Sequence, residues 1–412
     1  MTSDGPAPGP SQTWLPDPIS IGVLATAFPS DLVDAVIDET GARERRYRAL
    51  PARFMVYYVL ALAMFAPKGY VEVMCLLTRG LSWLRDEAPT ARTATVPAIA
   101  KARSRLGEAP LALLFSRVAG PLAPAGTSGA FWRGFRLVAV DEIAFELPDT
   151  AENTAAFGRA PAIGQARQAG HAGQAGRDGA PEARLVALGE SRTGALLGAA
   201  CGAAAHPGTP LAAGVVRHLN ETTVLMADDR FPVGALWHDA LARGAQLVWK
   251  AAAPVTLPVR EVLPDGTCLV RLPETWDRRG NDAVVRMIEC EHRTTSGRPA
   301  GRHFALLTTL TDPCEAPADE IVAGYEGRWR GGSIGRSLAA VQPTPRMTLR
   351  SRSPDMVRQE IWSMLCVYQR TRELMWHASC ALRLPDATPL TPRMTRVRRR
   401  AEALTPASAG AS

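Results

Sequence analysis

Two aspartates carry the strongest chemical signal in the chain. Asp141 follows the apolar run Leu137-Val138-Ala139-Val140, and Asp228 follows Val224-Leu225-Met226-Ala227. Each run reads as a buried strand. A carboxylate at the end of such a strand is costly unless it is paired or binds a cation. Two of them on adjacent strands could hold Mg2+ ions about 3.5–4 Å apart, the clamp used for in-line displacement at phosphodiesters. A plainer reading stands beside it: a strand can end in Asp simply because the next residue begins a turn. Asp229 competes with Asp228 for the second position. Glu142 adjoins Asp141, but alternation along a strand turns it to the opposite face, where it is a surface charge. None of the seven His residues shows ligand spacing, so none is assigned to metal or catalysis.

The elements that must position these groups follow from the hydrophobic period. Residues 1–17 read as a disordered tail and 18–125 as a helical N-terminal domain. Within it, Ser30-Asp31 caps an amphipathic helix and Pro51 opens a long apolar one at ARFMVYYVLALAMFA. The KARSRLG stretch sets Lys101, Arg103 and Arg105 at alternate positions, a solvated face or, alternatively, a DNA contact. From about 131 the pattern turns to strands and short helices, and 131–254 reads as one α/β segment. Within it, the Gly/Ala/Arg-rich 158–181 has no apolar period and reads as a mobile loop. Asp149, Thr150 and Asn153 after Pro148 read as a turn and helix cap. Residues 255–311 are β-rich, 312–382 return to helix, and 383–412 read as a basic disordered tail. Trp237, Trp329 and Trp362 sit among apolar residues and read as core.

Composition bounds the function without choosing it. The chain has 412 residues, with 46% hydrophobic and 21% charged, the balance of a soluble globular protein of two or three domains. The net charge of +7 suits a polyanionic partner, though it is mild for this length. Lys occurs only at 68, 101 and 250, so nearly all of the positive charge is Arg, the better bidentate ligand for phosphate. The seven Cys residues form no CxxC pair, which argues against a zinc ribbon or disulfide framework and fits a reducing cytoplasm. Met1–Pro18 has no secretory pattern. The longest apolar run, Phe54–Ala66, is too short to span a bilayer.

The words VAVDEIAFELPDTAENTAAFG, ARLVALGE, VLMADDRFPVGALW, GAQLVWK, GYEGRWR and LRSRSPDMVRQEIWSMLCVYQRTRELM follow one another in order. With the N-terminal LPDPISIGVLATAFPSDLVDAVIDETG they closely resemble the insertion-element-four family of DDE transposases, over roughly residues 15–380. The resemblance implies an α+β or α/β fold: a helical N-terminal domain, a ribonuclease-H-like catalytic core interrupted by a β-rich insertion, and a helical C-terminal region. It implies a DNA transposase of an insertion sequence that binds terminal inverted repeats, hydrolyses the transposon ends and transfers the 3′-hydroxyl to target DNA. Mg2+ or Mn2+ would be the cofactor and double-stranded DNA the partner. A homodimer in the synaptic complex, a cytoplasmic location at the nucleoid and no membrane also follow from it. Asp141 matches the first catalytic and metal-binding aspartate, and Asp228 matches the second, because it precedes Phe231 by three residues.

The third acid departs from the family. Its signature is Tyr, two residues, Arg, three residues, Glu, six residues, Lys. Tyr325 and Arg328 fit and are implied to contact DNA near the cleavage site, against the alternative of a Tyr–Arg pair on an exposed helix face. The Glu position is Gly332 and the Lys position is Ala339. Gly324, Gly327, Gly331, Gly332 and Gly335 crowd the same segment and cost roughly 4–5 kcal/mol of helix propensity, so GGSIG reads as a break. Glu326 lies about 120° around a helix from position 332 and is a poor substitute. The expectation is a transposase impaired in this copy; the alternative is an inactive remnant acting only as a DNA-binding protein.

Overall fold

A computed structural model of the protein describes residues 17–46, 48–81, 91, 94–159, 179–203, 209–251, 256–273, 276, 284–293, 299–328, 333–341, 348–382 and 395–397. Most of the expected N-terminal tail, residues 160–178 of the expected mobile loop, Trp329 and Gly332 lie outside them. The chain divides into two compact units: residues 1–117 with 355–367, and 118–354 with 368–412. No described helix is long and apolar enough to cross a membrane.

The first unit is helical: α1 (Asp17–Ala27), α2 (Ser30–Glu39), α3 (Ala52–Met64), α4 (Tyr70–Gly80), α5 (Val96–Leu106) and α6 (Ala109–Val118). The helix α3 is apolar on every side and is buried from Phe54 to Ala63, as an all-hydrophobic helix in water must be. The two tyrosines in it are satisfied at their tips, Tyr57 donating to Phe28 O at 2.6 Å and Tyr58 to Tyr70 O at 3.0 Å. Arg103 on α5 corrects the solvated-face reading of KARSRLG. It is 2% exposed and donates to Gln359 Oε1. Residues 355–367, which the sequence pattern groups with 312–382, count in this unit.

The second unit is built on one mixed sheet. Its strands are β1 (Phe131–Trp132), β2 (Phe135–Glu146), β3 (Glu182–Glu190), β4 (Leu196–Ala203), β5 (Thr223–Ala227) and β6 (Gln246–Ala251). These are followed by β7 (Val259–Val262), β8 (Cys268–Arg271), β9 (Val284–Arg293), β10 (Pro299–Thr308) and β11 (Thr395–Val397). The order is β4-β3-β2-β5-β6-β10-β9-β8-β7. The strands β4, β3 and β2 pair antiparallel, whereas β2, β5 and β6 run parallel. The β-rich stretch after 255 is not a separate sheet, because β10 pairs antiparallel with β6 and extends the central one. The strand β11 corrects the reading of 383–412 as wholly disordered. Only residues 284–287 of β9 pair with β8, and the unpaired edge of β9 beyond them takes up Thr395–Val397.

Helices lie on both faces. The helices α8 (Thr209–Val216) and α9 (Ala235–Ala242) bring Val215, Leu236 and Trp237 to the cluster that holds Val138, Val140, Leu225 and Trp249. The opposite face, with Leu137, Ala139, Val224 and Met226, is covered by Ile321, Val322 and Tyr325 of α10 (Ala318–Gly327). The remaining helices are α7 (Ala151–Phe157), α11 (Ile334–Val341) and α12 (Pro354–Ala381). The expected cap is present: Thr150 accepts the amide of Asn153 at 3.2 Å at the start of α7.

Candidate active site

The parallel pairing of β2 and β5 sets Ala139 opposite Met226. Carried two residues further, that register puts Asp228, just past the end of β5, level with Asp141. Residues two apart on a strand share a face. Asp141 therefore lies on the side of Leu137 and Ala139, and Asp228 on the side of Val224 and Met226, the face that α10 covers. Asp141 is 2% exposed. Asp229 turns away and pairs with Lys250 at 2.7 Å. Glu142 is more enclosed than a surface charge: its side chain is 12% exposed and pairs with Arg184 at 2.8 Å.

One cation joins the two aspartates. Arg230 Nη2 lies 2.6 Å from Asp141 Oδ1 and 2.9 Å from Asp228 Oδ2. Its Nε donates to Asp228 at 3.0 Å, its Nη1 to Glu142 O at 3.0 Å, and its backbone N–H to Asp228 Oδ1 at 3.1 Å. Burial works against this charge, yet hydrogen bonding and attraction to Asp228 and Asp141 outweigh it and raise the Arg230 pKa. The spacing of the pattern did not single Arg230 out. The available signal was its position two residues after Asp228, where a side chain can fold back on the carboxylate.

The other oxygen of Asp141 meets α11. The Gly335 amide donates to Asp141 Oδ2 at 3.3 Å. A Cβ at position 335 would come 3.2 Å from Ile143 Cγ1, so the missing side chain permits the close approach of helix to strand. Arg372 of α12 ties α11 down, donating to Ser337 Oγ at 2.6 Å and to Tyr368 Oη at 3.1 Å. The glycine-rich break read from the sequence falls between α10, which ends at Gly327, and α11, which begins at Ile334.

Tyr325 and Arg328 take different places. Tyr325 is 4% exposed and its hydroxyl is buried with no hydrogen-bond partner among the described residues. This corrects the exposed-pair alternative. Burial raises its pKa, and Asp228 and Asp229 add to the effect while Arg328 opposes it. The Arg328 guanidinium stacks on the Tyr325 ring at 3.6 Å and donates to Tyr325 O at 2.7 Å. Among the described residues it has no carboxylate partner and no second hydrogen bond. Burial pushes its pKa down, while Tyr325, Asp228 and Asp141 support the charge.

These residues fit a divalent cation in part. Two hard oxygens, one from each aspartate, already converge on a single nitrogen, as ligands of one shared ion must. A third carboxylate is missing: no group of three His, Cys, Asp or Glu suited to a metal occurs among the described residues. Glu326 lies instead beside Cys290, whose thiol burial, Glu326 and Glu289 together push up to about 12.

Residues 18–116 match the family model for the insertion element 4 transposase N-terminal region. The transposase InsG for insertion sequence element IS4 of Escherichia coli (strain K12) is 26% identical over 361 residues, which cover 85% of this chain and 76% of that protein. A solved structure, the piggyBac transposase synaptic complex with hairpin DNA, aligns at a TM-score of 0.40 and 11% identity, over 90% of this chain and 76% of that one.

Proposed function

We infer that this chain, a transposase of the insertion element 4 family, is the DNA-cutting and strand-transferring enzyme of an insertion sequence. The observation that carries the catalytic reading is the pairing of Asp141 with Asp228 across parallel strands, on one face, around one cation. The arrangement β4-β3-β2-β5-β6, two antiparallel pairings followed by two parallel ones, supports a ribonuclease-H-like core around that pair.

In this reading Asp141 and Asp228 hold Mg2+ or Mn2+, which when bound lowers the barrier to phosphodiester attack by neutralising charge and activating the attacking hydroxyl. Gly335 N–H fixes one oxygen of Asp141 so that the other faces Asp228. Arg328 has guanidinium N–H groups to spare beside the pair and offers them to a backbone phosphate of double-stranded DNA, with Tyr325 as the surface that orients it. In the N-terminal unit Arg45, Arg46 and Arg48 are exposed beside a groove and have no ion-pair partner among the described residues. Their neighbours Arg43 and Arg53 are held by Asp38 and Asp34. The three exposed guanidiniums suit contacts along a phosphate backbone. Synapsis of two transposon ends calls for a homodimer, acting at the nucleoid.

With Gly332 at the third acid position, two carboxylates carry the cation and cleavage is weaker than a three-acid centre would give. A catalytically inactive chain that only binds DNA is the second reading, favoured by the same glycine. The test is cleavage of a cognate transposon-end duplex with Mn2+, with binding measured in the same sample. Cleavage that disappears in Asp141→Asn supports the first reading. Binding without cleavage, with cleavage appearing in the Gly332→Glu, Ala339→Lys double variant, supports the second. Cleavage that persists in Asp141→Asn overturns the assignment of the pair.

A further inference from the structure

We propose that Arg230 is a tethered cation in the metal position of the Asp141–Asp228 pair, so that metal loading is an exchange in which the guanidinium leaves. The inference rests on the reading of the two aspartates as metal ligands. Its basis is steric and electrostatic. Nη2 sits 2.6 Å from Asp141 Oδ1 and 2.9 Å from Asp228 Oδ2, so the point both oxygens face is already filled. A divalent ion bound at about 2.1–2.4 Å to the same oxygens would overlap that nitrogen.

The alternative to a resident charge is costly. Asp141 is buried, and two carboxylates that face each other without a cation repel. One guanidinium leaves the pair with a single net negative charge, whereas a divalent ion brings it to zero. The arginine is held by the oxygens it must surrender and by Glu142 O, yet 47% of its side chain is open to solvent. No backbone movement is needed for it to swing out. Its chain attachment lies beyond Asp228, whose Oδ1 is fixed separately by the Arg230 backbone N–H. The carboxylate thus stays aimed after the guanidinium has gone. The device halves the charge of the metal-free pair and sets a threshold that a free cation must overcome.

The experiment measures Mn2+ binding to the full chain by the loss of the free-ion paramagnetic resonance signal, without DNA. Arg230→Gln should bind Mn2+ about ten- to a hundredfold more tightly than wild type, since no charge-assisted hydrogen bonds are broken on loading. Arg230→Lys, which keeps a cation but not the fork, should fall between them. Without metal, Arg230→Gln should melt below wild type, and Mn2+ should raise its melting temperature by more than it raises that of wild type. Equal or weaker binding by Arg230→Gln and Arg230→Lys, with binding still abolished in Asp141→Asn, overturns the exchange and leaves the pair as ligands. No Mn2+ binding by wild type and both variants overturns the exchange and the ligand reading together.

Discussion

Replacing Arg103 by Met tests whether the basic stretch of α5 serves the fold or the DNA. Arg103 is 2% exposed; its Nε donates to Gln359 Oε1 at 3.1 Å and its Nη2 to Met356 O at 3.0 Å. Gln359 answers by donating to Arg103 O and Gly107 O, each at 2.8 Å. Methionine keeps most of the apolar stem and removes both donors. A hydrogen bond from a charged group contributes about 1.5–3 kcal/mol, and two are removed. Against that, the guanidinium no longer has to be desolvated, and Met356 O retains a helical N–H. The net cost to the N-terminal unit is about 2–4 kcal/mol. Because the chain has two units, a single melting curve does not isolate this quantity. Amide hydrogen exchange in α5 and in 355–367 does, and protection there should fall together. Should protection stay at wild-type level while the salt slope of DNA binding drops by about one, Arg103 would be a phosphate contact and the burial argument would fail.

Three further outcomes are expected. Asp228→Asn should abolish Mn2+ binding and any cleavage, whereas Asp229→Asn should leave Mn2+ binding unchanged, because Asp229 is engaged by Lys250 away from the pair; a metal titration of the two variants decides this. The Arg45→Ala, Arg46→Ala, Arg48→Ala triple variant should weaken binding to every duplex alike and lower the salt slope by about three, one for each phosphate no longer neutralised, as a filter-binding salt series would show. Alkali should destabilise the sheet through Cys290, since burial pushes its thiol from 9.0 up to about 12. The unfolded chain loses this proton first, so the thiol's share of stability is intact below 9.0 and is lost as pH rises towards 12, by up to about 1.4 kcal/mol per pH unit. In Cys290→Ala the fall in urea midpoint across that window should be smaller, and parallel losses in both proteins would refute the assignment.

What the chain discloses before folding depends on whether the controlling interaction is local. The apolar run from Phe54 to Ala63 announces α3, because every side of that helix must be buried. The strand β5 is legible for a similar reason, a short apolar run closed by Asp228, whereas β2 does not end at Asp141 but runs on to Glu146, because its far half pairs with β3. The level placement of Asp141 and Asp228 is not legible, since it is set by the β2–β5 register, which spacing along the chain does not encode. The joining of β10 to β6 and the capture of Thr395–Val397 by β9 depend on free strand edges that exist only once the sheet has formed. Arg103 looks like a surface charge until Gln359, 256 residues away, takes its donor. Arg230 stands inside a recognised word, but its bond to Asp141 spans 89 residues.

The division of α12 bears on what a truncated gene would yield. The helix runs unbroken from Pro354 to Ala381, and its residues up to Val367 count in the N-terminal unit. In that unit Gln359 bonds Arg103, the Trp362 ring lies 5.6 Å from that of Phe115, and Cys366 contacts Leu111 O. The helical unit is therefore written in two separate stretches of the coding sequence. A stop codon or frameshift anywhere between them yields α1–α6 without the segment that completes their packing. Such a truncated product should be cleared by proteolysis and should not persist beside the full-length chain. A single substitution, by contrast, leaves both stretches in the chain.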